Sequence, residues 1–202
     1  MTTLSALPAL SDKSDGTQNL SGVLSLLFEP SEILQDKLVP QLATAHQGSF
    51  ESYSDLIDEA VNLMSQWDAS ERAAFIAGHP RIGETKNLSV LSNKEQGGSK
   101  SGVVASTPPE VLSRLQHLNA CYEQRYPGLR YIIFVNGRSR AEVAEVMEDA
   151  LGLDHSLSPD SPSLETISPI DRDSEEWRAE LDRAIQDVGL IAKSRLRSLE
   201  GM

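Results

Sequence analysis

Apolar side chains recur every three or four residues along most of the chain, which is the spacing of one face of an α-helix. Prolines, glycines and serines separate these stripes, as expected where helices begin and end. The pattern predicts an all-α fold, an irregular bundle of about eight helices. The clearest predicted helix starts are Leu20, Ser31, Ser52 or Ser54, Ala69, Thr107, Ser139 and Ser174.

Two helix boundaries are predicted from prolines. Pro40 is expected to end the helix that starts at Ser31, because proline lacks the backbone donor that a helix interior requires. Thr107 is expected to cap a later helix, with Pro108 at its first position and Glu110 at its third. Both boundaries therefore mark turns between neighbouring stripes.

Residues 131–135, Tyr-Ile-Ile-Phe-Val, have the composition of a strand and stand between Gly128 and Gly137. No second segment offers a partner strand, and one strand cannot form a sheet. We therefore predict a buried extended segment near 131–135, with the start of a helix as the alternative.

The 202 residues suit one domain with a sizeable core. Residues 1–19 are rich in Ser, Thr, Asp and Ala, which predicts a flexible N-terminal tail. Residues 20–202 are predicted to form the helical domain. Within it, residues 152–171 are rich in Ser, Pro and Asp, so we expect a surface linker there.

The formal net charge of −12 at pH 7 limits the classes of molecule that the protein is expected to bind. Nucleic acid and anionic membrane surfaces attract basic patches, so neither is an expected partner. A small-molecule substrate fits better, and an anionic one would need local cations that offset the overall charge. The candidate cations are Arg81, Arg138 and Arg195.

A single cysteine, Cys121, excludes an intramolecular disulfide and a cysteine-rich zinc site, and its position on an apolar helix face indicates a core residue. No apolar run reaches membrane-spanning length, and residues 1–19 lack the features of a secretory signal. Residues 199–202 differ from a Ser-Lys-Leu type peroxisomal address. We therefore expect a cytoplasmic protein, with the peroxisome as the alternative.

Two neighbouring motifs concentrate the candidate chemistry. Residues 78–83 read Gly-His-Pro-Arg-Ile-Gly, which places His79 on a turn because proline restricts the residue before it to extended geometry. Residues 92–98 read Ser-Asn-Lys-Glu-Gln-Gly-Gly and supply a hydroxyl, a carboxylate and an amide. The structural alternatives are a packed turn histidine and a capping box made by Ser92 and Glu95.

These motifs together resemble the signature Gly-His-Pro-x-x-Gly and Ser-x-x-Glu-Gln-x-Gly of the 2-oxo-4-hydroxy-4-carboxy-5-ureidoimidazoline (OHCU) decarboxylases, enzymes of the last step from urate to (S)-allantoin. Asn119-x-x-Tyr122, an aromatic-glycine segment at 126–134 and a last helix ending at 191–196 follow in family order. The resemblance spans about residues 20–199 and implies an all-α carboxy-lyase. Residues 126–131 depart from the common Phe-Gly-Phe-Pro-Phe pattern, so a differently shaped pocket wall is expected.

The resemblance also implies roles for individual residues. It makes His79 the catalytic acid-base residue and Glu95 a second catalytic residue that accepts substrate N–H groups. It assigns substrate binding to Pro80, Ser92, Gln96, Ile132, Ile133 and Arg195. It implies no metal and no cofactor, because the ring of the implied substrate can itself accept the electrons left by carbon dioxide. It also implies a homodimer. For Arg195, charge complementation of a helix C-terminus is the alternative on sequence grounds.

Two other functions are compatible with these residues. A non-catalytic helical interaction module would keep the fold and use the two motifs only for capping and packing. A metal-dependent hydrolase would use His79, Glu84 and another histidine, but the remaining histidines lack a ligand spacing such as His-x-x-x-His. His79 and Glu95 facing a common pocket would favour the decarboxylase over the module.

Overall fold

A computed structural model of the chain describes residues 15–45, 50–84, 91 and 107–200. Within these ranges the regular structure is helical and contains no β-strand. The predicted all-α fold is therefore confirmed, with a helix number close to the prediction. The described α-helices are α1 (Asp15–Phe28), α2 (Val39–Ala45), α3 (Tyr53–Ser65), α4 (Ala69–Ala77), α5 (Pro109–Arg125), α6 (Arg140–Leu151) and α7 (Glu175–Glu200).

The chain divides into two compact units. The first contains the described residues up to His79 together with 181–200, and the second contains those from Pro80 to Glu180. One boundary therefore falls at the bond between His79 and Pro80, and α7 supplies residues to both units. The prediction of a single domain over residues 20–202 stays a prediction.

The first unit consists of α1 to α4 and most of α7. The predicted helix start at Ser52 or Ser54 is confirmed at Ser52, whose hydroxyl oxygen accepts a hydrogen bond from the backbone N–H of Asp55 at 3.1 Å and so caps α3. α7 approaches α3 closely at Gly189, where an added Cβ would lie 2.8 Å from Cγ2 of Val61. The fully buried side chains of this unit include Leu20, Leu24, Leu27, Phe28, Leu34, Leu38, Leu42, Leu56, Ile57, Met64, Leu181 and Ile185.

The prediction that a helix ends at Pro40 is wrong. A π-helical turn (Leu34–Leu38) leads directly into α2, and Pro40 lies in the first turn of that helix. The backbone N–H of Val39 donates to the carbonyl oxygen of Leu34, so the helical hydrogen bonding of the π-helical turn continues into α2. Pro40 therefore lies inside a continuous helical segment, where the sequence pattern predicted an end.

In the second unit, α5 packs against α6. The predicted threonine cap of α5 is wrong, because the helix begins one residue later, after Pro108, and has no side-chain cap. The Thr107 hydroxyl instead accepts a hydrogen bond from Nη1 of Arg140 at 3.0 Å. The helix start predicted at Ser139 is confirmed, and Ser139 and Glu142 form a capping box there.

The predicted buried extended segment is confirmed. Residues 131–135 have neither helical nor strand structure, and Tyr131, Ile132 and Ile133 are buried. The ring of Tyr131 packs edge-on against that of Tyr122, with 5.0 Å between their centroids. Contact with α5 therefore stabilises an extended conformation that has no neighbouring strand within the described residues.

The linker predicted at 152–171 is irregular apart from a short 3₁₀ turn (Leu164–Thr166). Nη1 of Arg114 on α5 donates to the carbonyl oxygen of Ser158 at 2.9 Å and to that of Ser161. Its Nε donates to Oε1 of Glu148 on α6 at 2.7 Å. The bonds that attach the linker to the two packed helices therefore include those of one buried arginine.

Two expectations drawn from residue type can be compared with the described part of the chain. Cys121, predicted to be a core residue, is fully buried, and burial raises the pKa of its thiol. No described helix combines the length and the apolar character needed to cross a bilayer.

Candidate functional site

His79 lies on the turn that follows α4, as predicted. α4 ends at Ala77, Gly78 caps it, and the backbone N–H of His79 donates to the carbonyl oxygen of Ile76 at 3.1 Å. The residue is only 4% exposed, and its ring lies 5.6 Å from the ring of Phe75. The imidazole is therefore a buried group whose position is defined by the end of a helix.

Arg195 is buried within α7, and the residue is 2% exposed. Its Nη2 donates to Oε1 of Glu29 at 2.7 Å, and its Nη1 donates to the carbonyl oxygen of Leu27 at 3.2 Å. Both bonds join α7 to the end of α1. An arginine that only complements the dipole of α7 does not need to be buried or to bond to α1.

Two phenylalanine rings connect these features within the first unit. Phe28 directly precedes Glu29, and its ring packs edge-on against Phe75 with 6.2 Å between centroids. Phe75 in turn contacts His79. The histidine and the arginine pair therefore belong to one set of buried side chains, and apolar surroundings of this kind strengthen electrostatic interactions.

The other predicted binding residues that the structure describes lie in the second unit. Pro80 is partly exposed, directly after the boundary between the units. Ile132 and Ile133 are 4% and 8% exposed on the extended segment. Ser92, Glu95 and Gln96 lie outside the described residues. Leu91, the residue before this motif, is helical and buried.

A groove of about 800 Å³ lies in the second unit, a size within the range of small-molecule sites. Its charged residues pair with one another. Nε and Nη2 of Arg81 donate to the two carboxylate oxygens of Glu123 at 2.6 and 3.0 Å, and Nη1 lies 3.6 Å from Glu84. The hydrogen bond to Glu123 raises the pKa of Arg81. The positive charge of this candidate cation is thus balanced by carboxylates.

Arg138, the remaining candidate cation, is exposed and donates to the carbonyl oxygens of Phe134 and Val135 at 3.1 and 3.3 Å. These bonds join the end of the extended segment to the turn before α6. Of the three arginines considered from the sequence, Arg195 is the deeply buried one. Like Arg81, it is paired with a carboxylate, that of Glu29, so burial is the property that distinguishes it as a candidate for binding an anionic group.

The Asn119-x-x-Tyr122 motif has structural roles. Nδ2 of Asn119 donates to the carbonyl oxygens of Ile82 and Leu115 at 2.9 and 2.7 Å, which ties the segment after His79 to α5. The hydroxyl of Tyr122 donates to Oε1 of Glu180 at 2.6 Å. The motif therefore organises the second unit.

Glu29, the partner of Arg195, is a buried charged residue that the sequence pattern missed. The pattern predicted only that a helix ends before Pro30, and it assigned no role to the glutamate between helix and proline. The sequence did contain a signal for an unusual residue at this position. The residue that follows a helix is often glycine, and here it is a glutamate. Its partner Arg195 is 166 residues away in the chain, so local patterns could not pair them.

A sequence model of the OHCU decarboxylase family matches residues 14–157. The chain belongs to the OHCU decarboxylase family. The predicted membership is therefore confirmed, and the family name denotes decarboxylases, which are carboxy-lyases. The match includes His79 and the motif at 92–98, whereas Arg195 lies beyond it.

The uric acid degradation bifunctional protein PucL of Bacillus subtilis (strain 168) is 26% identical to the chain over 131 residues. The alignment covers 65% of the chain and 24% of PucL. The chain thus aligns with about a quarter of the length of this curated relative. The name of this relative refers to uric acid degradation.

Proposed function

We propose that the protein decarboxylates OHCU to (S)-allantoin in urate catabolism, without a metal or an organic cofactor. Family membership supports the reaction class. The observation that carries the proposal for this chain is His79, a titratable side chain buried on the turn where the family motif lies. Burial matters because an acid-base group acts most effectively where water does not compete for its proton.

The reaction makes limited demands on the protein. The bond between the ring carbon and the carboxylate carbon breaks, carbon dioxide leaves, and the electron pair passes to the adjacent imine or carbonyl of the ring. A proton must then reach one face of the ring to give a single stereoisomer. The enzyme therefore has to hold the ring, stabilise the growing charge and deliver that proton.

The side chains suit these tasks. The imidazole of His79 can accept and donate the proton that the reaction requires. Glu95 accepts N–H groups of the ureido group or the ring, while Ser92 and Gln96 bind the remaining polar atoms. Arg195 binds an anionic oxygen of the substrate through charge-assisted hydrogen bonds.

The remaining parts of the proposal concern the pocket and the assembly. Backbone groups at Pro80, Ile132 and Ile133 contribute to the pocket wall. The working form is a homodimer in the cytoplasm, with the small-molecule substrate as its ligand.

Substitution of His79 tests the function. The protein is mixed with freshly prepared OHCU, made by oxidising urate and hydrolysing the product, and (S)-allantoin formation is followed by circular dichroism. We expect the wild type to accelerate the reaction and His79→Asn to lower kcat at least about 100-fold with unchanged helical content. The reason is that asparagine keeps a polar side chain but cannot exchange the proton.

His155→Asn is the matched control, because His155 is exposed and bonded to Asp149. This control is expected to keep the wild-type rate. A wild-type protein that does not accelerate the reaction would favour the non-catalytic interaction module. An active His79→Asn protein would remove His79 from the mechanism.

A further inference from the structure

Glu29 has a backbone conformation that normally favours glycine. It follows the last residue of α1 and has a φ of +71°. In this left-handed region the Cβ of an ordinary residue crowds the backbone. Helices often end with a left-handed residue at this position, and that residue is usually glycine. A glutamate here therefore indicates a requirement for its side chain.

The contacts of the carboxylate identify that requirement. Glu29 is 6% exposed, and its Oε1 accepts a hydrogen bond from Nη2 of Arg195 at 2.7 Å. The same guanidinium donates through Nη1 to the carbonyl oxygen of Leu27 at 3.2 Å. Two bonds from the end of α1 therefore define the plane and the direction of this arginine side chain.

Stability is a poor explanation for such an arrangement. Burying an ion pair removes both charges from water, and their mutual attraction often does no more than offset that cost. The left-handed backbone of Glu29 is a second unfavourable feature. Glu29 thus combines a buried charge with a left-handed backbone, and both cost stability. Such a residue is expected where the orientation of its partner, here Arg195, matters for function.

We propose that Glu29 is a positioning residue that orients the guanidinium of Arg195 toward an anionic oxygen of the substrate. This inference rests on the proposed function, since it concerns the same site. The negative charge of Glu29 opposes binding of an anion, so its contribution is geometric. Arginine recognises oxyanions with a planar fork of N–H donors, and a rotated fork loses that match.

Steady-state kinetics of Glu29→Ala with OHCU tests the proposal. We expect kcat/KM to fall about 10- to 100-fold, because a misplaced binding group costs that much. The substrate oxygen is present both before and during the reaction, so KM should rise more than kcat falls. Glu29→Gln keeps an acceptor oxygen at the same reach and is expected to recover most of the loss. Wild-type kcat/KM in Glu29→Ala would overturn the inference.

A double-mutant cycle tests whether Glu29 acts through its partner. In an Arg195→Ala background, Glu29→Ala is expected to have no further effect on kcat/KM. A full additional loss in that background would overturn the inference. Glu148→Gln, in the buried pair of the second unit, is the matched control and should keep the wild-type kcat/KM while it remains folded.

Circular dichroism and a melting curve for each variant separate misfolding from misplacement. If Glu29→Ala does not fold, Glu29→Gly replaces it with the same expectations, because glycine suits the left-handed backbone. An inactive wild type would overturn the proposed function together with this inference. An active wild type with an unaffected Glu29 variant would overturn this inference alone.

Discussion

The described residues contain a buried arginine–glutamate pair in each unit, and by distance and burial the two pairs are nearly identical. In the first unit, Nη2 of Arg195 lies 2.7 Å from Oε1 of Glu29, and the two side chains are 2% and 7% exposed. Arg114 and Glu148 lie 2.7 Å apart in the second unit, with side chains 1% and 2% exposed. The physical requirements of the pairs are therefore similar.

Their surroundings differ. Arg114 and Glu148 come from the regular helices α5 and α6, and their further bonds lead to the linker, including one from the backbone N–H of Ser156 to Glu148. Glu29 has a left-handed backbone, and its neighbour Phe28 begins the series of rings that reaches His79. One pair holds a connecting segment, and the other lies in the unit that contains the proposed acid-base residue.

The comparison teaches that burial and a short N–O distance do not by themselves mark a functional ion pair. Backbone strain and the chemistry of the neighbours separate the two cases. Breaking the pair at Arg114 should therefore affect stability and leave catalysis intact. Breaking the pair at Arg195 should affect catalysis.

Glu148→Ala should give the largest change in stability. It leaves Arg114 buried without its carboxylate, which typically costs about 3–5 kcal/mol, so we expect the melting temperature to fall by about 10 °C. At 20 °C or below, where the protein stays folded, kcat/KM should match the wild type. Thermal unfolding followed by circular dichroism, together with the allantoin assay, measures both quantities.

Replacing both partners sharpens this test. Arg114→Met combined with Glu148→Leu removes both charges and keeps the volume, so its stability should return to within about 1–2 kcal/mol of the wild type. An unchanged melting temperature for Glu148→Ala would show that the pair in the second unit does not stabilise the fold.

Glu95→Gln should have the next largest effect, on catalysis. If Glu95 accepts two substrate N–H groups in a dry pocket, glutamine offers one acceptor and an unwanted donor, at a cost of about 1–3 kcal/mol. We therefore expect kcat/KM to fall at least about tenfold and the melting temperature to stay within a few degrees. Steady-state kinetics and thermal unfolding decide between this role and a capping box.

Glu142→Gln is the matched control, because Glu142 occupies an observed capping box with Ser139. Glutamine still fits that motif, so this variant should keep its activity and nearly all of its stability. Equal behaviour of the two variants, with kinetics unchanged in both, would make Glu95 a cap.

The exposed pair of His155 and Asp149 should give the smallest effect. The hydrogen bond to Asp149 raises the pKa of His155 above its ordinary value near 6.5. The stabilisation is therefore fully present below that ordinary pKa and is lost as the pH rises through the raised value. His155→Asn should lower the melting temperature by about 1 °C or less at pH 5.5 and not at pH 8.5. A larger effect at the higher pH would contradict this assignment.

Local patterns predicted much of the fold correctly. The helix starts at Ser52 and Ser139 and the turn at His79 depend on a few neighbouring residues, and all three predictions are confirmed. The prediction at Thr107 failed because the helix begins one residue later, and the prediction at Pro40 failed because the helical segment continues through the proline. In both cases the same proline signal allows more than one boundary.

The sequence by itself determined the helical class, the buried face of each helix and the motifs that identify the family. These features are encoded by residue type and by spacings of a few residues, so they can be recognised without knowing which segments meet. Only the tertiary structure decided the partners of the buried charges. Arg195 pairs with Glu29, which is 166 residues away in the sequence, and Arg114 pairs with Glu148, which is 34 residues away. Such pairs arise when packed helices exclude water from charges that must then be neutralised, and no local pattern records which distant residue will do so.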